Sequence, residues 1–167
     1  PNANGTVRAI QLSCSRVLVA GFFTTIGGQA RNRLVSLDAT SGLADSWDPN
    51  ASGPVFALTL RSGRAYVGGI FTSVGGQARD RVAALDPVSG LATAWNPGSA
   101  GTVRAMEVGG GMVYAAGGFN RYGGLQLATL AASTADAFSC AAVSITPDDL
   151  PVGVVAVPYS QPLTASG

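Results

Sequence analysis

The sequence repeats itself at a constant interval of 48 residues across roughly its first 130 positions. Each copy begins with a valine and continues through a glycine, a phenylalanine and a pair of adjacent glycines. A fixed period in this range is typical of a solenoid, a propeller or another array, in which one unit buries its apolar surface against the next. The period therefore constrains the architecture far more than it constrains a ligand or a reaction. The equivalent sets are Val7, Val55 and Val103; Gly21, Gly69 and Gly117; Phe23, Phe71 and Phe119; Gly27–Gly28, Gly75–Gly76 and Gly123–Gly124; and Trp47 and Trp95.

Each copy predicts short strands joined by tight turns. In the second copy, β-branched and aromatic residues form short runs, and glycine-, serine- and aspartate-containing turns separate them. Four strands in one copy match the size of a propeller blade, so we predict an all-β chain of four-stranded β-propeller blades. A β-solenoid is the alternative, although its coils are usually shorter. The predicted strands are Val55–Leu60, Ala65–Gly69, Arg81–Leu85 and Leu91–Trp95.

The repeat also predicts the domain boundaries. Blade repeats occupy residues 1–139, with units at about 6–53, 54–101 and 102–139. The third copy decays after Gly123–Gly124, because no aspartate-led turn and no tryptophan follow it. A propeller closes with about four to eight blades. We therefore expect a partial array that belongs to a larger propeller or is completed by copies of the same chain as a ring or a fibre.

The phrases Gly69–Asp86 and Trp95-Asn96-Pro97 resemble the delta-60 repeat β-propellers of large secreted bacterial proteins. The resemblance covers roughly residues 1–130, in which a glycine pair, an arginine, a Leu-Asp turn and Trp-x-Pro recur in order. It implies a non-catalytic module that is secreted, extracellular or on the bacterial cell surface, commonly beside immunoglobulin-like domains.

Residues 140–167 resemble a linker and the first strands of such an immunoglobulin-like domain. This segment is too short for a sandwich of about 100 residues, so we expect a truncated domain with an extended segment. One prediction is that the 152–163 segment is donated as a strand to a neighbour; the alternative is that it packs along its own last blade. The candidate donated residues are Val154, Val155, Val157 and Tyr159.

The start of the sequence aligns with the interior of the repeat. Pro1–Gly5 matches Pro49–Gly53 and Pro97–Gly101. We therefore expect an upstream blade that ends in tryptophan, and a chain that is a processed or excised piece, since it begins without methionine.

Composition argues against several classes of partner. The net charge is +1, the ten basic residues are all arginines, and they form no basic stripe. This argues against nucleic acid as a partner. No apolar stretch reaches the length that spans a bilayer, so we expect no membrane insertion. Cys14 and Cys140 predict either a disulfide from the first blade to the segment after the last, or two buried free thiols.

The sequence predicts no enzyme, no metal and no cofactor. Histidine is absent and Glu107 is the only glutamate, so the usual general bases and acid pairs are missing. The spacing of the aspartates does not gather the six or more oxygens that calcium requires. The segment Leu37–Trp47 resembles the tryptophan-docking pattern of quinoprotein propellers, with the tryptophan one residue later, and implies docking between blades without a cofactor. The predicted docking residues are Trp47, Trp95, Phe23, Phe71 and Phe119.

Repeated glutamine and arginine residues are the best binding candidates. On matching loops they would line one rim and present donors to carboxylates or sugar hydroxyls. The alternative is that the arginines satisfy backbone carbonyls within the scaffold. The third copy lacks both arginines, so any repeated ligand site is partial. The candidates are Gln29, Arg31, Arg33, Gln77, Arg79 and Arg81.

We therefore expect a structural or interaction module that mediates protein–protein contacts or self-assembly into a surface structure or filament, with itself or other parts of the parent polypeptide as partners. A carbohydrate-binding propeller that recognises a cell-surface glycan is the first alternative. An accessory fragment of a secreted multidomain enzyme is the second.

Overall fold

The structure is a computed structural model, and it describes residues 2–126 and 130–134. Within these residues the fold is all-β and contains no helix, so the predicted fold class is confirmed at that level. No helix in this part of the chain is therefore long and apolar enough to cross a bilayer. In chain order the strands are β1 (Val7–Ser13), β2 (Arg16–Gly21), β3 (Thr25–Ile26), β4 (Gln29–Ala30), β5 (Leu34–Asp38), β6 (Val55–Arg61), β7 (Arg64–Gly69), β8 (Ser73–Val74), β9 (Gln77–Ala78), β10 (Val82–Leu85), β11 (Thr102–Gly109), β12 (Met112–Gly118), β13 (Arg121–Tyr122), β14 (Leu125–Gln126) and β15 (Leu130–Thr134).

These strands form three antiparallel sheets of three strands each. The orders are β1-β2-β5, β6-β7-β10 and β11-β12-β15, so the second strand of each set lies in the middle. A short hairpin, in which each strand has two residues, separates the second and third strands of each sheet. These hairpins are β3-β4, β8-β9 and β13-β14. We call each sheet with its hairpin a unit, numbered one to three. The described part of the chain shows no closed barrel or propeller.

The three sheets share one register at the 48-residue interval. Val55 pairs with Gly69, and a bulge lies between Val55 and Ala57; the first and third sheets have the same irregularity at equivalent positions. A methyl group at Gly69 would overlap the carbonyl oxygen of Pro54. Glycine is therefore required here because the neighbouring strand passes too close for any side chain.

The fourth predicted strand is reduced to a single bridge in units one and two. Leu91–Trp95 contributes only the bridge between Ala92 and Leu85. The pairing ends because the backbone N–H of Trp95 donates to Oγ1 of Thr93 (3.2 Å). The same happens in unit one, where the N–H of Trp47 donates to a side-chain oxygen two residues back. A local side-chain bond thus replaces the ladder.

The apolar core lies between the sheets. One buried cluster joins units one and two and contains Leu18, Leu34 and Trp47 from the first and Val67 and Leu85 from the second. A second cluster joins units two and three, and a third lies on the side of unit one away from unit two. Each sheet is thus apolar on both faces, and the units pack in series with unit two in the middle.

Candidate functional site

The junction between units one and two is built around Trp47. This residue is 1% exposed, and its indole Nε1–H donates to the carbonyl oxygen of Asp86 (3.0 Å). Arg16 reinforces the junction by donating from Nη2 to the carbonyl oxygen of Pro87 (3.0 Å). Unit one therefore contributes an indole and a guanidinium, and two successive carbonyls of unit two accept them.

Trp95 holds the equivalent position at the next junction, between units two and three. It is half-buried against the second cluster and meets Tyr66 edge to face, with ring centroids 5.3 Å apart. The predicted docking residues Phe23, Phe71 and Phe119 are all buried. The two tryptophans thus lie where one unit meets the next.

The candidate arginines all donate to backbone carbonyls. Arg31 donates to Ala30 and Asp45, and its equivalent Arg79 donates to Ala78 and Thr93, at 2.6–2.8 Å. These bonds hold the loop that carries each tryptophan. The guanidinium groups are therefore engaged with the scaffold by hydrogen bonds to backbone carbonyls.

The other pair of arginines bonds to the segment that follows each tryptophan. Arg33 donates to the carbonyl oxygen of Ala51 (2.7 Å), and Arg81 donates to that of Ser99 (2.8 Å). Both backbones are left-handed, with φ of 66° and 65°. A non-glycine residue in this region is strained, and the side-chain bond to the carbonyl of Ala51 or Ser99 accompanies that strain.

The candidate glutamines are exposed, in contrast to the arginines. Gln29 and Gln77 lie in strands β4 and β9. Gln77 lines an open cleft of about 580 Å³, together with Asp48, Asn50 and Leu91. This cleft offers amide and carboxylate groups for hydrogen bonds, but the repeated arginines do not line it.

Two aspartates hold the tight turns after the third strand of units one and two. Oδ1 of Asp86 accepts bonds from the N–H groups of Val88 and Ser89 and from the hydroxyl of Ser89. The bond from the Ser89 N–H is the main cause that lowers the pKa of Asp86 below its ordinary value. Asp38 makes the equivalent bonds with Ser41, and its pKa is lowered for the same reason. These carboxylates are turn-forming groups.

The outer side of unit one carries an uncovered apolar surface, which we call the front face. It is formed by residues of strands β1, β2, β3 and β5. Ile10 is 56% exposed, whereas its equivalent Leu58 is 4% exposed beneath unit one. Val7 and Leu12 are exposed in the same way. The exposed or half-buried residues of the front face are Val7, Ile10, Leu12 and Val17, and the buried residues Val19, Ile26 and Leu37 line its pocket.

The outer side of unit three carries a second apolar surface, the back face. Tyr114 is 44% exposed, whereas its equivalent Tyr66 is fully buried at the junction with unit three. Leu130 is also exposed, and it borders a shallow apolar pocket with Tyr114. An incomplete array predicts exposed blade faces, but the sequence did not indicate which residues form them. The residues of the back face are Ala105, Tyr114, Ala116 and Leu130.

The remaining predicted sites are settled only in part. Cys14 is exposed in the β1–β2 turn, so the alternative of two buried thiols is wrong for this residue. Cys140 lies outside the described residues, so the disulfide stays a prediction. Val154, Val155, Val157 and Tyr159 also lie outside them. Among residues 2–126 and 130–134, no group of three or more acidic or cysteine side chains is placed to hold a metal ion.

Comparison with known proteins assigns no relative to the chain. No protein-family model matches it, and no curated protein sequence matches it either.

Proposed function

We propose that the chain is a non-catalytic interaction module of a secreted bacterial protein, built from delta-60-type propeller blades that are added in series. Its front and back faces bind further units of the same kind, supplied by copies of the chain or by other parts of the parent polypeptide. Its location is extracellular or on the cell surface. The module acts through these contacts, so no cofactor, metal or catalytic group takes part.

The observation that carries this proposal is the difference in burial between equivalent residues. Position 10 of the front face is exposed, but its equivalents Leu58 and Met106 are 4% and 9% exposed. Leu130 of the back face is 63% exposed, but Leu34 and Val82 are fully buried. The surfaces that are open at the two ends are therefore the same surfaces that meet twice inside the chain.

The two faces differ from each other, which determines the symmetry of any self-assembly. A front face meets a back face at each internal junction, so a contact between copies of this kind is heterologous. Such contacts form a ring if the rotation closes and a filament if it does not. An uncovered apolar patch of this kind is typical of an interaction surface.

The direct test is self-association of the full chain. Sedimentation velocity over about 1–500 µM is expected to show association that increases with concentration, in the affinity range of weak protein contacts. Ile10→Asp and Tyr114→Asp should each reduce the association constant by at least tenfold, because each places a charge in an apolar contact.

Leu43→Asp is the matched control. Leu43 is 61% exposed and its equivalent Leu91 is 60% exposed, so neither lies in a junction. This variant should associate as the unaltered chain does. A monodisperse monomer over the whole concentration range, or equal losses in all three variants, would count against the proposal.

Glycan binding is a second candidate function, and one observation favours it. The cleft of about 580 Å³ brings Asp48, Asn50 and Gln77 together, and such groups pair with sugar hydroxyls. A glycan array on the full chain tests this. Binding that Gln77→Ala abolishes would support the candidate, and silence across the array would remove it.

A further inference from the structure

The front face contains a pocket with a defined counterpart inside the protein. It encloses about 320 Å³ and is lined by apolar residues, with Val19, Ile26 and Leu37 among them. The residues 48 positions later, Val67, Val74 and Leu85, are buried in the same cluster as Trp47. The pocket on unit one is thus equivalent to the surface of unit two that shares a buried cluster with the Trp47 indole.

The polar edge of the pocket is equivalent as well. Trp47 and Arg16 donate to the carbonyls of Asp86 and Pro87. The equivalents of these acceptors are Asp38 and Ala39, and both line the front-face pocket. The carbonyl of Asp38 accepts from Gly42 N–H, as that of Asp86 accepts from Gly90 N–H. In unit two, the carbonyl oxygen of Asp86 accepts both the Gly90 N–H and the indole N–H of Trp47. The bond from Gly42 therefore leaves the carbonyl of Asp38 able to accept an indole N–H.

The back face of the same chain has only some of the groups that meet the equivalent surface inside the chain. Tyr114 and Leu130 match the apolar residues that unit two presents to unit three. However, Met112 stands where units one and two have arginine, and Val143 stands 48 positions after Trp95. The third unit therefore carries neither the indole nor the guanidinium at these positions of the sequence.

We propose, on the basis of the function proposed above, that the front face is an indole-accepting site. Its occupant is a tryptophan-bearing segment of the Asp45–Asn50 type, on a unit that also presents an arginine. The indole enters the pocket that Val19, Ile26 and Leu37 line, and it donates to the carbonyl of Asp38. The arginine donates to the carbonyl of Ala39. The site distinguishes such a unit from the chain's own third unit.

The test uses the isotopically labelled full chain and a peptide with the sequence of residues 43–51. Methyl resonances of Val19 and Ile26 are followed by NMR as the peptide is added. A saturable shift is expected with a dissociation constant in roughly the millimolar range, since one aromatic anchor must offset the cost of association. The same peptide with alanine in place of tryptophan should bind at least tenfold more weakly.

Variants of the full chain locate the site. Ile10→Asp should abolish the shift, and its exposed position leaves folding intact. Leu91→Asp, at an exposed position of unit two that does not line the pocket, should leave the shift unchanged. Equal binding of the two peptides, or no shift at several millimolar peptide, overturns the proposal.

A second measurement tests the arginine. Met112→Arg gives the third unit the guanidinium that units one and two carry, and it should strengthen self-association about threefold or more through a charge-assisted bond to a carbonyl. Met112→Leu is the control and should have no such effect. An unchanged association constant in Met112→Arg overturns the role of the arginine.

These results separate the two proposals. Self-association without binding of the peptide would support the interaction module and overturn the indole site. Binding of the tryptophan peptide by a chain that stays monomeric would support the indole site and overturn self-assembly.

Discussion

Replacing Trp47 by alanine removes the central contact between units one and two. The side chain is 1% exposed, lies in a cluster that contains residues of both units, and donates from Nε1 to the carbonyl of Asp86. Trp47 lies in a loop, so its replacement by alanine has little effect on the conformational preference of the backbone. The effect therefore measures the docking of one unit on the next.

The magnitude follows from burial and from the hydrogen bond. A buried tryptophan removes about 150–250 Å² from water, which at about 25 cal/mol per Å² gives roughly 4–6 kcal/mol. The lost hydrogen bond adds about 1 kcal/mol. Large aromatic-to-alanine changes in cores cost about 3–5 kcal/mol. We expect a loss of about 4–5 kcal/mol, which is a large share of the roughly 5–15 kcal/mol that holds a domain together.

Urea unfolding followed by far-ultraviolet circular dichroism measures this loss. Trp95→Ala should cost clearly less, because Trp95 is only half-buried. Leu43→Ala, at an exposed position, should change the free energy of unfolding by less than about 0.5 kcal/mol. If Trp47→Ala costs no more than Leu43→Ala, the tryptophan does not hold the junction and the reasoning fails.

Three further predictions concern the loops and strands. Gly69→Ala should lower the free energy of unfolding by about 2 kcal/mol or more in urea unfolding, because its methyl overlaps the Pro54 carbonyl, whereas Gly118→Ala, in open space, should be nearly neutral. Arg81→Ala should lower the free energy of unfolding by about 1 kcal/mol more than Arg81→Gly in the same assay. Both variants lose the bond to Ser99, but the left-handed backbone is strained for alanine and not for glycine; equal losses would contradict this. Because the pKa of Asp86 is lowered in the folded state, the ionised carboxylate stabilises the fold above its ordinary pKa of 3.8. This contribution is lost as the pH falls through the lowered pKa. Melting temperatures between about pH 5 and pH 2 should therefore fall less steeply in Asp86→Asn, and parallel curves would refute it.

Much of the fold was predictable because the period fixes equivalent positions. Apolar runs flanking Gly63 predicted the hairpin that forms β6 and β7, and the glycine of the Asp86–Gly90 turn has the positive φ that such a turn requires. The short hairpin β8-β9 was not predicted, since two-residue strands leave no run of β-formers. The fourth strand failed because Thr93 bonds the backbone of Trp95, a local competition that propensity does not reveal.

The candidate site was harder to predict than the fold. Glutamine and arginine repeat as a binding rim would, yet the arginines are occupied by carbonyls that only the folded loops bring within reach. The front and back faces could not be recognised from residue type, because Ile10 and Leu58 are both ordinary apolar strand residues. Their difference lies in whether a unit covers them, which depends on the order of packing.

The geometry of the contact between two copies tests the central claim most directly. In chains with Cys14→Ser and Cys140→Ser, one variant carries Ile10→Cys and another carries Tyr114→Cys, and a short bis-maleimide traps weak contacts. If the front face binds the back face, mixing the two variants gives cross-linked dimers, and either variant alone gives few. Symmetric dimers of one variant in equal yield, or no cross-linked dimers in the mixture, would contradict the account.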